Sequence, residues 1–379
     1  AGIALGNGYQ LFVLSLMGLT AIVAVGLNIL VGMTGQISLG HIGFYAIGAY
    51  VVAILTTTYG WSFWAALPLA MFLAGVAGGL LSIPALRVRG PYLAMITIAF
   101  AFIVEQSAAE MVWLTGGWNG ILGIPPPRLF GETLRPTGMA GMILVLTVAT
   151  FVFYAVFSRS QCGQALRAVR DSEVAAASIG FDPVRLRSLA FALSASFAGL
   201  AGGAYAALSA FVSPESFPFF DSILFLLVVM IGGADKTLGP AIGAAIVVLL
   251  PEVFSFLAEY RLLFVGILLL VVLRVAPGGV AGALETFSRR FETSGAPDQR
   301  AANAVAAGAP SPIIHPEPQA LEVRDLSIHF GGVRALQEVS FRAEPGQITS
   351  VIGPNGAGKT TALNLIVGLY TPTAGTITL

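Results

Sequence analysis

Apolar residues fall in long runs at 9–32, 36–57, 63–84, 91–113, 139–157, 188–210, 222–257 and 261–276, each bounded by Gly, Pro or charge. About 20 helical residues cross roughly 30 Å of hydrocarbon, so runs of this length predict membrane-spanning helices. The run 222–257 exceeds one crossing and is interrupted at Gly232-Gly233-Ala234-Asp235-Lys236, which predicts two shorter pieces meeting at a turn. The first piece, Ser222 to Met230, can penetrate only part of the way, and its backbone must be shielded by neighbouring helices.

Past Glu285 the pattern changes character. From 285 to 319 Ala, Pro, Gly and charge replace the apolar runs, as in Pro310-Ser311-Pro312 and Pro316-Glu317-Pro318, and the segment reads as a flexible linker. About 35 such residues would give an end-to-end distance on the order of 30 Å. Beyond it, Leu321, Val323, Leu326 and Ile328 alternate as a strand, Gly331-Gly332 is a turn, Val339 and Phe341 mark a second strand, and Ile348 to Ile352 a third. The expected fold is an all-α polytopic membrane protein of about 8–10 membrane segments over 1–284, then the linker 285–319 and an incomplete α/β phosphate-loop domain over 320–379.

Composition agrees with a lipid setting. The chain is 56% hydrophobic and 10% charged, and no Asp, Glu, Lys or Arg precedes Arg87. A net charge of zero gives no field to attract nucleic acid, so that class of partner is not expected. Arginine sets the orientation: Arg87 and Arg89 mark one loop, and Arg159, Arg167, Arg170, Arg185 and Arg187 another, against Arg128 and Arg135 in the loop 114–138. The arginine-rich loops are expected in the cytoplasm, and with them residues 320–379. A single cysteine, Cys162, rules out an internal disulfide, and His41, His315 and His329 have no metal-ligand spacing. The chain lacks an initiator Met and a leader-like start, so both ends read as cut.

Gly353-Pro354-Asn355-Gly356-Ala357-Gly358-Lys359-Thr360 fits G-x-x-x-x-G-K-[ST], after a predicted strand and before the helical run Thr361 to Val367. Such a loop turns backbone N–H groups toward phosphate oxygens, which demands glycine where φ is positive or the ligand too close for a side chain. Lys359 is the expected cation for the β- and γ-phosphates, Thr360 the expected Mg2+ ligand, and ATP the expected nucleotide. The string GPNGAGKTT with Phe330 upstream resembles the opening of an ABC-transporter ATPase domain. That resemblance implies stacking of Phe330 on adenine, the alternative being a Phe buried between strand and turn, and contact of Thr361 with phosphate. The signature motif and Walker B carboxylate of that family do not appear before Leu379, so hydrolysis by this stretch alone is not expected.

Leu27 to His41, Gly90-Pro91-Tyr92-Leu93-Ala94-Met95, Gly116-Gly117-Trp118-Asn119-Gly120 and Arg167 to Gly180 resemble, in order, segments of branched-chain amino-acid ABC permeases. Within the last segment Asp171 or Ser172 can cap a helix, Gly180 can end it and Pro183 blocks its extension. The resemblance implies a coupling helix seated on an ATPase, with Arg167, Arg170, Asp171 and Glu173 supplying charge, and Ala175, Ala176 and Gly180 allowing close approach. A solvated amphipathic turn is the alternative. Gly75, Gly78, Gly79, Gly199, Gly202 and Gly203 predict close helix packing. Glu105, Gln36, Ser38, His41 and Asn119 are candidates for a polar transport path, with outer-surface snorkelling (Glu105) or interhelical hydrogen bonding (Gln36, Ser38, His41) as alternatives. Implied partners are a second related permease, a second ABC ATPase domain, an extracytoplasmic binding protein and the lipid bilayer of a bacterial inner membrane. Other readings are an importer of urea or short amides, or a channel or secondary carrier with an appended nucleotide sensor.

Overall fold

The computed structural model describes residues 7–85, 91–129, 131–253, 266–267, 270, 274, 276, 278–292, 319–330, 333–354 and 356–378. The run expected at 261–276, the end of 222–257, most of the linker and Asn355 lie largely or wholly outside these residues. The chain divides into two compact units, Ala1–Ser294 and Gly295–Leu379.

In the first unit, six described helices are long and apolar enough to cross a membrane: 8–32, 63–85, 92–110, 136–159, 183–209 and 214–232. The principal helices are α1 (Gly8–Leu27), α2 (His41–Thr57), α3 (Phe63–Ala85), α4 (Pro91–Glu110), α5 (Pro136–Arg159), α6 (Gln161–Asp171), α7 (Glu173–Ser178), α8 (Pro183–Ser209), α9 (Phe219–Gly232), α10 (Gly239–Val253) and α11 (Gly279–Glu292). Residues 285–292, expected as the start of the linker, are helical within α11.

α8 is the hub, packed on α2 and α3. Small residues make this possible: a Cβ added at Gly202 would lie 1.9 Å from the Tyr45 carbonyl oxygen, and one at Gly48 would lie 2.0 Å from that of Gly199. With no water to expel between helices in lipid, such close approach supplies the packing energy. Gly79 meets only Ala192, at 3.9 Å, and is not such a contact.

Two elements are broken. α1 ends in a π-helical turn, Asn28–Gly32, and the chain then runs extended from Gly35 to Gly40 before α2 begins at His41. The continuous helix expected from 36 therefore starts later. Gly40 lies against the Thr97 carbonyl, where a Cβ would sit at 2.2 Å, and the hydroxyls of Thr97, Ser38 and Ser222 accept from the N–H groups of Leu39, Gly40 and Ile42. α9, of 14 residues, would extend about 21 Å. It is preceded by a turn, Pro214–Ser216, and folds back on α10 through residues 233–238.

Contacts fix the two ends of the bundle. At the arginine-bearing end, Arg167 and Arg170 reach the 233–238 turn. At the opposite end Tyr9 donates to Glu252 (2.5 Å), and two-residue strands β1 (Ile121–Leu122) and β2 (Phe211–Val212) pair antiparallel.

The second unit holds β3 (Leu321–Phe330), β4 (Val333–Ala343) and β5 (Ala374–Thr378) in an antiparallel sheet of order β4-β3-β5, with α12 (Lys359–Ile366). Val323, Leu326, Ile328, Leu336, Ala362 and Leu365 form its core. The third strand expected at Ile348–Ile352 does not form. Among the described residues no strand lies beside it to complete a ladder, and Ile348 and Ile352 stand 98% and 90% exposed.

Candidate functional site

The phosphate loop has the backbone its glycines predict. Gly356 and Gly358 have φ of +86° and +79°, and a Cβ at Gly358 would fall 2.5 Å from the Ala335 carbonyl oxygen. Lys359 opens α12, and its Nζ donates to the carbonyls of Gly353 and Pro354, both at 2.8 Å, so the cation sits within the loop. Thr360 is exposed and Thr361 half-buried beside the N-terminus of α12. A helix N-terminus, an ammonium and left-handed glycines converging on one loop fit a polyphosphate. Phe330, at the end of β3, is 45% exposed and meets Tyr370 edge-on at 5.2 Å between ring centres. It is not the buried filler of the alternative reading, and a ring face is left for a base.

The segment 161–180 is two helices, not one. α6 ends at Asp171, and the Ser172 hydroxyl caps α7 by accepting from the Ala175 N–H at 3.3 Å. Gly180 ends α7 with φ +94°. Arg167 and Arg170 therefore lie on α6 and turn inward instead of offering free charge to a partner. Arg167 Nε donates to both Asp235 oxygens (2.9 and 3.0 Å), and its Nη1 donates to the Ser158 carbonyl (2.7 Å). The Asp235 carboxylate bonded to it raises the Arg167 guanidinium above its already high ordinary value, so it stays charged. Arg170 Nη1 lies 3.3 Å from Asp235 Oδ2 and donates to the Gly32 carbonyl of the π turn. Asp171 pairs with Arg170 (3.2 Å), and Glu173 with Arg187 (3.2 Å). Ala176 is 2% exposed and faces the chain itself, whereas Ala175 and Gly180 are exposed with Val174 and Ile179.

The candidate path residues do not gather at one place. Ser38 and His41 are fully buried, with Ser38 Oγ 3.0 Å from His41 Nδ1 and Ser194 Oγ 2.7 Å from His41 Nε2. Gln36 is 8% exposed, and its Oε1 accepts from Thr34. These contacts are the interhelical and local hydrogen bonds of the alternative reading. Glu105 is half-buried on α4 beside Tyr50, whose buried hydroxyl has no hydrogen-bond partner. Asn119 is exposed in the turn Gly117–Asn119 at the β1 end.

Comparison with known proteins decides the family. A family described as "Branched-chain amino acid transport system / permease component" matches residues 9–273. The chain belongs to this permease family. A second family, "ABC transporter", matches residues 336–379. The permease is 38% identical over 284 residues to the high-affinity branched-chain amino acid transport system permease protein LivM of Salmonella typhimurium, covering 68% of this chain and 67% of that one. LivM of Escherichia coli is 37% identical over the same length, again 68% and 67%. The C-terminal part is 52% identical over 59 residues to the ATP-binding protein LivG of Salmonella typhimurium, covering 16% of this chain and 23% of LivG. No solved structure matches the permease.

Sequence reading of the permease missed two groups. One is the anchor of the 233–238 turn: Asn28 Oδ1 accepts from the Asp235 N–H (2.7 Å), and Asn28 Nδ2 donates to the Lys236 carbonyl (3.0 Å) and to Tyr154 Oη (2.9 Å). The other is Asp221, an acid inside the 214–232 span. A polar residue within an apolar run was the available signal for both.

Proposed function

We propose that the permease carries branched-chain amino acids inward across the bacterial inner membrane. It would act with a second related permease, two ATP-binding domains on the cytoplasmic side and an extracytoplasmic binding protein. The observation that carries this reading is a permease-family match along 9–273 on the same polypeptide as a phosphate loop. Relatives of both segments, LivM and LivG, are named for branched-chain amino acid transport.

ATP with Mg2+ would supply the free energy, the ion neutralising charge between the β- and γ-phosphates. The Gly356–Gly358 backbone and the α12 N-terminus would cradle phosphate, Lys359 would leave its loop carbonyls for phosphate oxygens, and Thr360 would hold the ion. Thr361 would add a phosphate contact and Phe330 a surface for the base. Gly353 and Asn355 would complete the loop. Exposed Ala175 and Gly180 make α7 the surface offered to an ATP-binding domain, and the ion pairs of Arg167 and Arg170 with Asp235 give its movement a route to α1, α9 and α10.

The family and relatives give no support to a urea or amide importer or to a channel with a nucleotide sensor. Vesicles holding the assembled importer and supplied with leucine and the cognate binding protein test the reading. Uptake should require internal ATP; uptake undiminished in ATP-depleted vesicles would refute it.

A further inference from the structure

A cavity of about 240 Å³ lies among α1, α2, α8, α9 and α10. One part of its lining is polar: Asp221, Tyr205, Ser216 and Thr20. The rest is aliphatic: Leu16, Leu224, Val247 and Val248. Asp221 stands 11 residues before Gly232, the end of α9 at the arginine-bearing face, which places it about 16 Å into a layer of roughly 30 Å. It is therefore near mid-depth. An acid at that depth is costly, and the usual setting that retains one is a polar route or binding pocket.

The two broken elements converge here. Ile42, in the first turn of α2, and Asp221, in the first turn of α9, both line the cavity, and the Ile42 N–H donates to Ser222 Oγ at 3.0 Å, locking the two helix starts together. Irregular backbone at membrane depth is tolerated where it faces protein or a cavity. The Tyr45 ring, also on the lining, packs between Tyr205 and Phe225 at 5.6 and 5.8 Å between centres and forms a rigid rim.

We propose that this cavity is a transit site for a zwitterionic aliphatic amino acid, with Asp221 receiving the α-ammonium and the Leu224–Val247–Val248 wall receiving the side chain. The hydroxyls of Tyr205, Ser216 and Thr20 are donors for the α-carboxylate, and the partial positive ends of α2 and α9 favour the same group. A carboxylate has about four acceptor positions, so a partner already on Asp221 leaves room for an ammonium. One acid suits one monovalent ammonium better than a divalent metal, and among the described residues no group of three or more His, Cys, Asp or Glu is placed to hold a metal ion. The choice of an amino acid as ligand rests on the proposed function; the charge pairing and the aliphatic wall are features of the cavity itself.

Two measurements on the assembled importer test the assignment. In a Cys162→Ser background, Val248→Cys introduces a thiol on the cavity wall, and its labelling rate by a small thiol reagent is followed with and without excess leucine. Leucine should slow labelling at least threefold, leucinol, which lacks the carboxylate, should slow it less, and adding Asp221→Asn should abolish the protection. Separately, Asp221→Asn alone should cut ATP-driven leucine uptake tenfold or more while basal ATP hydrolysis stays within twofold of wild type. Should Val248→Cys fail to label or assemble, the uptake measurement decides. Wild-type uptake by Asp221→Asn, or labelling indifferent to leucine in an importer that still transports it, overturns the site. Absence of ATP-driven leucine uptake by the wild-type importer would instead refute the proposed function.

Discussion

At His41 both ring nitrogens are engaged by hydroxyls, and the side chain is fully buried. Replacing it with alanine leaves Ser38 and Ser194 without their shared partner, at about 1–3 kcal/mol for each unsatisfied group. His41→Ala should therefore lower the thermal unfolding midpoint of the detergent-solubilised permease; an unchanged midpoint would mean the hydroxyls repartner locally. Lys359→Ala removes the ammonium from the phosphate loop and should reduce ATP photolabelling of the full chain tenfold or more, about 1.4 kcal/mol in binding. Burial pushes the Cys162 thiol above its ordinary value, and the thiolate is the form that reacts. Maleimide labelling of Cys162 should be slow at neutral pH and rise by about tenfold per pH unit with no plateau below pH 9. Glycine positions in the phosphate loop were legible because φ and spacing follow from the motif. The partners of Arg167 and Arg170 were not, because Asp235 lies more than sixty residues away and a charge pattern carries no record of a long-range pair.

The elements were read well where a single periodic run decides them, as for α5 and α8, and less well where tertiary contacts override the run. The start at 36 failed because hydropathy cannot distinguish an extended apolar strand from a helix when hydroxyls from α4 and α9 satisfy its backbone. The single helix over 167–180 failed because Ser172 caps a new helix within a stretch of good helix formers. At the α2–α8 crossing, Gly202→Leu must displace the Tyr45 carbonyl and should abolish folded yield in the membrane or cut uptake severely. Retention of full transport would show that the crossing opens during the cycle. In the turn 233–238, Asp235→Asn preserves the backbone, since Asn tolerates φ near the observed +64°, but removes the charge shared by Arg167 and Arg170. It should lower uptake by about tenfold, roughly 1.4 kcal/mol, with basal ATP hydrolysis retained; equal loss of both would mark a purely structural role.

Over the whole molecule, the oil-to-water change in composition gave both parts of the chain, because solvent choice is an averaged property that no single contact can reverse. The soluble part was legible as a loop and two strands, while Ile348–Ile352 lacked a neighbour to make it a third. Sidedness follows from the same averaging. If the arginine-bearing end faces the cytoplasm, a membrane-impermeant maleimide should modify Cys162 in inside-out vesicles and leave it unmodified in right-side-out vesicles; the reverse result would invert the bundle and detach the phosphate loop from its fuel.

The π turn at Asn28–Gly32 amounts to an α-helix with one residue too many. A one-residue deletion there would regularise the helix and leave the hydropathy profile almost unaltered. Yet everything downstream would rotate by about 100° and shift by about 1.5 Å, withdrawing the Gly32 oxygen from Arg170. Chain length at this point is thus constrained as tightly as residue identity elsewhere: an indel too small to notice in a hydrophobicity plot would unfasten α6 from the first helix.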